Sequence, residues 1–196
     1  SASVVAKVKD SNRVTCPTIS GKAEDIELPV AFSESPINEN LLFVGTDDGL
    51  IQISDNGGSS WSKVDVNEIK GVPKQTYVNH LLASQHDENL VYAIFNHHKY
   101  GDFKPYVYKS TDKGKSWTSI AGNLPERGSV YCIEQDHVNK DILFAGTEFG
   151  VFVTLNGGKH WTQLKAGLPT VAIRDMEIQQ RENDLVLASF GRSFYV

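Results

Sequence analysis

A chain of 196 residues, 40% hydrophobic and 22% charged, can bury one ordinary core and has the composition of a globular domain. Its formal net charge of −5 and the lack of any basic run exclude the electrostatic footprint of a nucleic-acid or anionic-membrane partner. No apolar stretch approaches the roughly 18–20 residues of a membrane-spanning helix, and Cys16 and Cys132 stand in no zinc-type spacing.

Residues 1–25 hold an alternating segment at 4–8, then a run rich in Ser, Thr, Gly and Lys. This predicts a lone strand and a loose connection. No targeting segment is legible, so the compartment is not read from one. The apolar run Val130-Tyr131-Cys132-Ile133 predicts a buried free thiol, with a Cys16–Cys132 disulfide as the open alternative.

From Ile26 the pattern becomes periodic. Four Asx-rich turns each lead into a strongly apolar strand: Asn38-Glu39-Asn40-Leu41-Leu42-Phe43, Asp87-Glu88-Asn89-Leu90-Val91-Tyr92, Asn139-Lys140-Asp141-Ile142-Leu143-Phe144 and Glu182-Asn183-Asp184-Leu185-Val186-Leu187. Strand-like runs precede them at 28–33, 77–83, 129–134 and 171–178. Turns follow, two of them closely related (Gly45-Thr46-Asp47-Asp48-Gly49 and Gly146-Thr147-Glu148-Phe149-Gly150), and then third strands at 50–53, 106–109 and 151–153. Val72-Pro73, Leu124-Pro125 and Leu168-Pro169 separate the units with a fixed φ.

After each third strand comes a repeated turn: Ser54-Asp55-Asn56-Gly57-Gly58-Ser59-Ser60-Trp61, Ser110-Thr111-Asp112-Lys113-Gly114-Lys115-Ser116-Trp117 and Thr154-Leu155-Asn156-Gly157-Gly158-Lys159-His160-Trp161. A short hydroxyl or Asx side chain accepts from nearby backbone amides and closes a tight turn. The glycines Gly58, Gly114 and Gly158 are expected at positive φ. All three tryptophans of the chain lie here, each expected to open a fourth strand and fill a core site.

The unit is thus four short antiparallel strands in about 43–52 residues, the period of a propeller blade. The predicted class is all-β: a β-propeller, or a segment of one, with blades at 26–70, 74–123 and 127–166 and a partial blade at 171–196. Because that last blade stops in its third strand, the chain is expected to be a piece of a longer protein. The alternative is that residues 4–8 supply the closing strand and pair with residues 194–196.

The repeated turns resemble the Asp-box, or bacterial neuraminidase repeat, of sialidase-like and sortilin-type β-propellers. The runs at 45–52, 146–150 and 181–186 are similar to bacterial secreted propellers often labelled glycosyl-hydrolase-like or sortilin N-terminal-like, a resemblance covering residues 26–196. It implies a propeller fold and a secreted or cell-envelope location. Two departures stand out: Asn56 and Asn156 replace the Asp of the box, and Ser193 stands where relatives usually carry Gly. The structural residues of the boxes are Ser54, Asn56, Gly58, Trp61, Ser110, Asp112, Gly114, Trp117, Thr154, Asn156, Gly158 and Trp161.

Chemistry is harder to place. Asp47, Asp48, Glu148 and Asp175 are the carboxylates considered for a glycosidase pair, but equivalent turns on successive blades need not converge, and turn-capping is the favoured role. A sialidase would need an arginine triad; Arg127, Arg174 and Arg192 exist, but only the last two fall where strands face an axis. The insertion Asn96-His97-His98-Lys99-Tyr100-Gly101-Asp102-Phe103-Lys104-Pro105 suggests a contact surface before it suggests a metal site. Candidate binding residues are therefore Asp47, Asp48, His97, His98, Tyr100, Glu148, Arg174 and Arg192, with no catalytic residue, metal or cofactor expected. The reading is a non-catalytic module for a protein or carbohydrate ligand, completed by further blades or another copy; the alternative is a fragment of a glycoside hydrolase acting on polysaccharide.

Overall fold

A computed structural model describes Ala6–Lys7, Val14–Thr15, and residues 28–165 and 167–196. Every regular element longer than one helical turn in it is a strand. The first sheet holds β3 (Pro29–Glu34), β4 (Leu42–Thr46), β5 (Leu50–Ser54) and β6 (Ser62–Asp65) in chain order. The second holds β7 (Tyr77–Ala83), β8 (Val91–Asn96), β9 (Tyr106–Ser110) and β10 (Thr118–Ser119). In the third lie β11 (Val130–Gln135), β12 (Leu143–Thr147), β13 (Gly150–Thr154) and β14 (Thr162–Leu164). The fourth has β15 (Ile173–Gln179), β16 (Asp184–Ser189) and β17 (Phe194–Tyr195) among the described residues. All pairings are antiparallel, as hairpin-connected neighbours require.

A separate short pair joins β1 (Ala6–Lys7) to β2 (Val14–Thr15). The remainder of the 4–8 segment, and Cys16, lie outside the described residues. Cys132 is a buried free cysteine, and burial pushes its thiol pKa up.

The apolar second strands are explained by burial on both faces: every residue of β4 and β8 is buried. Phe43, Ile51 and Ile53 of the first sheet pack with Val78, Leu81 and Phe95 of the second. Tyr92, Val107 and Ile120 of the second meet Ile133, Phe152 and Trp161 of the third. Cys132 and Val151 meet Ile173, Met176 and Leu187 between the third and fourth. Successive first strands touch, β3 on β7, β7 on β11 and β11 on β15. Sheets packed face to face with their first strands gathered inward are the blades of a β-propeller.

The repeated turn shows why its residues recur. The Gly58, Gly114 and Gly158 amides donate to Ser54 Oγ (2.8 Å), Ser110 Oγ (2.8 Å) and Thr154 Oγ1 (3.1 Å). Each hydroxyl in turn donates to the Asx Oδ1, at 3.0, 2.7 and 2.9 Å. That same Oδ1 accepts the amides of Ser60, Ser116 and His160 at 2.9, 2.8 and 2.9 Å. Only one carbonyl-type oxygen is used for the backbone, so Asn56 and Asn156 serve as well as Asp112. The three glycines sit at φ 88, 84 and 90, as expected. A Cβ on Gly158 would lie 2.7 Å from Ile120 Cβ, in the preceding blade.

The tryptophans are not equivalent. Trp161 is 2% exposed and its Nε1 donates to Ile120 O, 2.8 Å away in the blade before it. Trp117 is half-buried against the first interblade core, edge-on to Phe95 at 6.3 Å. Trp61 is also half-buried and turns its Nε1 to its own Gly58 O at 3.1 Å. The expectation of three equal core anchors therefore fails: only Trp161 is fully buried and bonded to the preceding blade, while Trp117 meets Phe95 of its own sheet and Trp61 bonds its own turn.

Candidate functional site

Strand polarity sorts the loops into two ends. The Asx turns and the Trp-bearing turns share one end, joined by Gly57 N–Asn40 O (2.9 Å), Lys113 N–Asn89 O (2.9 Å) and Gly157 N–Asp141 O (2.8 Å). At the other end the second-to-third-strand loops meet the entries to the first strands. Asp47 Oδ1 accepts from Leu28 N at 3.1 Å, and Glu148 N donates to Ser129 O at 3.0 Å. This second end carries all the candidate binding residues.

A cavity of about 280 Å³ opens there between the first two blades. The β4–β5 turn contributes Asp47 and Asp48, and the connection before β7 contributes Gln75 and Tyr77. Its far wall is the start of the insertion, with Asn96, His97, Lys99 and Tyr100. The structure thus brings Asp47, Asp48, His97 and Tyr100 into one place.

The insertion is rigidly built. The His97 and Tyr100 rings stack with centroids 4.6 Å apart and planes 21° apart. The Thr76 hydroxyl donates its one proton to Pro73 O at 2.7 Å, so the 2.8 Å contact with His97 Nδ1 assigns the proton there to the histidine. Tyr100 OH donates to Gln75 Oε1 at 2.9 Å. Gly101 closes the short turn at φ 75. Asp102 is committed to structure, accepting from Tyr106 OH (2.7 Å) and Lys104 N (3.1 Å). Among the described residues, no group of three or more His, Cys, Asp or Glu side chains gathers as metal ligands would.

Asn96, at the end of β8, is 2% exposed. Its Oδ1 accepts from His98 N at 3.0 Å, a bond that only an oxygen can make, and from His98 Nδ1 at 2.6 Å. The amide is thereby oriented, and its Nδ2 is buried with no hydrogen-bond partner among the described residues. His98 itself is exposed, edge-on to Tyr77 at 5.7 Å. The Lys99 ammonium stands 5.3 Å from the Tyr77 ring.

A second group lies along the inner strands. Each carries a bulge at one register position, between Pro29 and Ala31, Val78 and His80, Val130 and Cys132, and Ile173 and Asp175. The extra residues are Val30, Asn79, Tyr131 and Arg174. Bulges re-aim side chains, and here they make a chain across blades: Asn79 Nδ2 donates to Tyr131 O at 2.6 Å, and Arg174 Cζ lies 3.8 Å from the Tyr131 ring centroid. Phe190 flanks the same guanidinium at 5.1 Å. Burial raises the Tyr131 phenol, an effect opposed by Arg174 and reinforced by Glu148. Glu148 and Arg174 therefore belong to this axial group, outside the cavity lining. Arg192 is exposed on the β16–β17 turn, separate from that lining.

Below them Glu134 and Glu177 occupy matching positions on β11 and β15, paired with Phe144 and Val186. Burial, then the charges of Glu177 and Asp175, push the Glu134 carboxyl up to about 8. Burial lowers the neighbouring His80, whose Nδ1 accepts from Ile133 N at 3.2 Å. Sequence reading passed over Glu134, Glu177, Asn96 and Tyr131 as site residues. The available signal was register: an alignment of the first strands on one another exposes the bulge and the paired glutamates.

No protein-family profile matches the chain, and no curated protein sequence matches it. Solved structures do. A GH74 xyloglucanase from Xanthomonas campestris aligns at 12% identity and TM-score 0.63, over 82% of this chain and 26% of that one. YCF48 bound to D1 peptide aligns at 17% identity and TM-score 0.61, over 83% and 48%. The extracellular domain of a putative hybrid two-component system from B. thetaiotaomicron aligns at 15% and TM-score 0.65, over 94% and 23%. The likeness is one of fold, and the class it defines with the sheets above is the β-propeller. This chain spans between 23% and 48% of the length of these proteins.

Proposed function

We propose that the chain is a non-catalytic binding module, a propeller unit of a larger secreted or cell-envelope bacterial protein, whose ligand is a protein or a glycan held at the loop-rich end. The observation that carries this reading is the cavity between the β4–β5 turn and the β8–β9 insertion, lined in part by Asn96, whose buried Nδ2 has no hydrogen-bond partner among the described residues. Buried donors are rarely left unpaired in native proteins, and one placed on a cavity wall fits a ligand acceptor. The fold neighbours include a propeller bound to a peptide and an extracellular sensor domain, which supports both the role and the location. The Trp-bearing turns are Asp-boxes on this reading, and the blades divide at 26–70, 74–123, 127–166 and 171–196.

A specific feature favours the hydrolase as the second reading. Glu134, held near pKa 8 beside Glu177 and Asp175, has the proton-bearing form a glycosidase acid needs at neutral pH. Chromogenic glycosides and soluble polysaccharides separate the two. The binding module leaves all of them intact while Lys99→Ala/Tyr100→Ala weakens binding of glycan or peptide ligands. Turnover that disappears in Glu134→Gln, Asp48→Asn or Glu148→Gln would establish the hydrolase instead.

A further inference from the structure

The cavity between the first two blades has a more definite complement than a ligand in general. We propose that it is a subsite for a single neutral sugar residue, the exposed end of a glycan; this rests on the binding-module reading and gives it a ligand class.

Donors and acceptors alternate around the opening. Asp47 Oδ1 is engaged by Leu28 N, and Asp48 Oδ1 by the Thr46 hydroxyl. Among the described residues each carboxylate keeps its other oxygen as an acceptor. Across from them stand the Lys99 ammonium and Asn96, whose amide is fixed in orientation by the His98 backbone and whose Nδ2 is buried with no partner among the described residues. A ligand that satisfies both walls must donate and accept from adjacent atoms. A vicinal diol does that; its hydroxyls each give one proton and take another bond.

The competing ligand chemistries fit less well. An anion would meet Asn96 and Lys99 favourably but would approach two carboxylates. A small cation would suit Asp47 and Asp48 but leaves the Asn96 donor unmet and faces Lys99. An apolar ligand would strand all of these groups. The stacked His97–Tyr100 pair adds an aromatic wall, with planes only 21° apart, against which the C–H face of a sugar ring can lie. A volume of about 280 Å³ suits one ring, since drug-sized ligands take roughly 300–1,000 Å³.

The site is also particular to the second blade. The equivalent connections are tight turns, Asp47 to Gly49 in the first blade and Glu148 to Phe149 in the third, whereas β8 and β9 are separated by residues 97–105. Packing within the blade does not require that length. It is spent on bringing Lys99 and Tyr100 over the neighbouring turn.

The test is ligand-observed and protein-observed NMR with the methyl glycosides of glucose, galactose, mannose and xylose. Methyl glucuronide and an unrelated peptide serve as the charged and protein-like probes. At least one neutral glycoside is expected to bind with millimolar affinity and to shift the His97 and Tyr100 ring resonances. Tyr100→Ala, an exposed change, and Asn96→Leu, which keeps volume but removes the donor, should each weaken it by about tenfold or more. Retention of binding in both variants, or equal binding of the glucuronide, overturns the assignment. If no glycoside shifts those resonances but the peptide does, the sugar class is wrong and the binding module stands. Hydrolysis of a glycoside by the wild-type protein overturns the module itself.

Discussion

Replacing Glu134 by Gln should stabilise the protein in alkaline solution and leave it unchanged in acid. In the folded chain burial and the charges of Glu177 and Asp175 raise this carboxyl from 4.5 to about 8. Below pH 4.5 the group is neutral whether the chain is folded or not, and it contributes nothing to the difference. As pH rises from 4.5 through 8, the unfolded chain ionises Glu134 freely while the folded chain resists, so stability is lost across that window. At about 1.4 kcal/mol per tenfold change in proton affinity, the ceiling on the loss is about 5 kcal/mol. Glu134 is only half-buried on an inner strand, and partial solvation brings the expected effect to about 2–3 kcal/mol. Urea unfolding of wild type and Glu134→Gln at pH 5, 7 and 9 isolates the term, since every other carboxylate is common to both. A difference that grows with pH supports a partly buried Glu134 facing the charge of Glu177; a constant difference, or a variant less stable at pH 9, refutes it.

The tryptophans provide a graded series. Trp161→Ala empties a buried interblade site and should cost about 3–5 kcal/mol, whereas Trp61→Ala, half-exposed on its own turn, should cost about 1–2 kcal/mol in thermal or urea melts. Equal losses would contradict packing onto the preceding blade. Within the turns, Asp112→Asn keeps the Oδ1 that caps Ser116 and should cost less than about 1 kcal/mol, while Asp112→Ala opens the turn and costs about 2 kcal/mol. The Asp112 carboxyl resists its partial burial because Ser116, Ser110 and two amides donate to it, which bring it down to about 2. Wild type should accordingly keep this turn closed at pH 3, readable as an unshifted Ser116 amide resonance.

The parts of the fold that were legible in the sequence are those that repeat. Strand spans, the antiparallel order and the positive φ of Gly58, Gly114 and Gly158 follow from residues that solve the same local problem in every blade. Ser193, flagged as a departure from Gly, is indeed held at φ 69. The unequal burial of the tryptophans was not legible, because a blade's own sequence says nothing of the blade before it. The site was legible in part. Asp47, Asp48, His97 and Tyr100 stood out as loop residues, yet nothing in the sequence joins a turn at position 47 to an insertion fifty residues on. Glu134 was hidden more completely, since its raised pKa arises from burial between blades, reinforced by Glu177 on the next one, and neither is visible in the sequence of its own strand.

The two ends of the blades are built differently. At the Trp-bearing end, each turn satisfies itself through one hydroxyl and one Asx oxygen. Gly158 and Trp161 then reach back onto Ile120 in the preceding blade. The glycine contact recurs from blade to blade, Gly114 meeting Ile53 as Gly158 meets Ile120, so these glycines cannot gain a side chain without loss to the interface. The opposite end has no such duty. Its turns need only reverse the chain, which the tight loop before Val151 does with Thr147 Oγ1 accepting from Phe149 N at 3.1 Å. The second blade departs from that minimum, lengthening its loop and fixing Asn96, His97 and Tyr100 in place. Order imposed on a long exposed loop costs conformational entropy. Here that order leaves the buried Asn96 Nδ2 without a hydrogen-bond partner among the described residues, which is the feature the proposed ligand reading builds on.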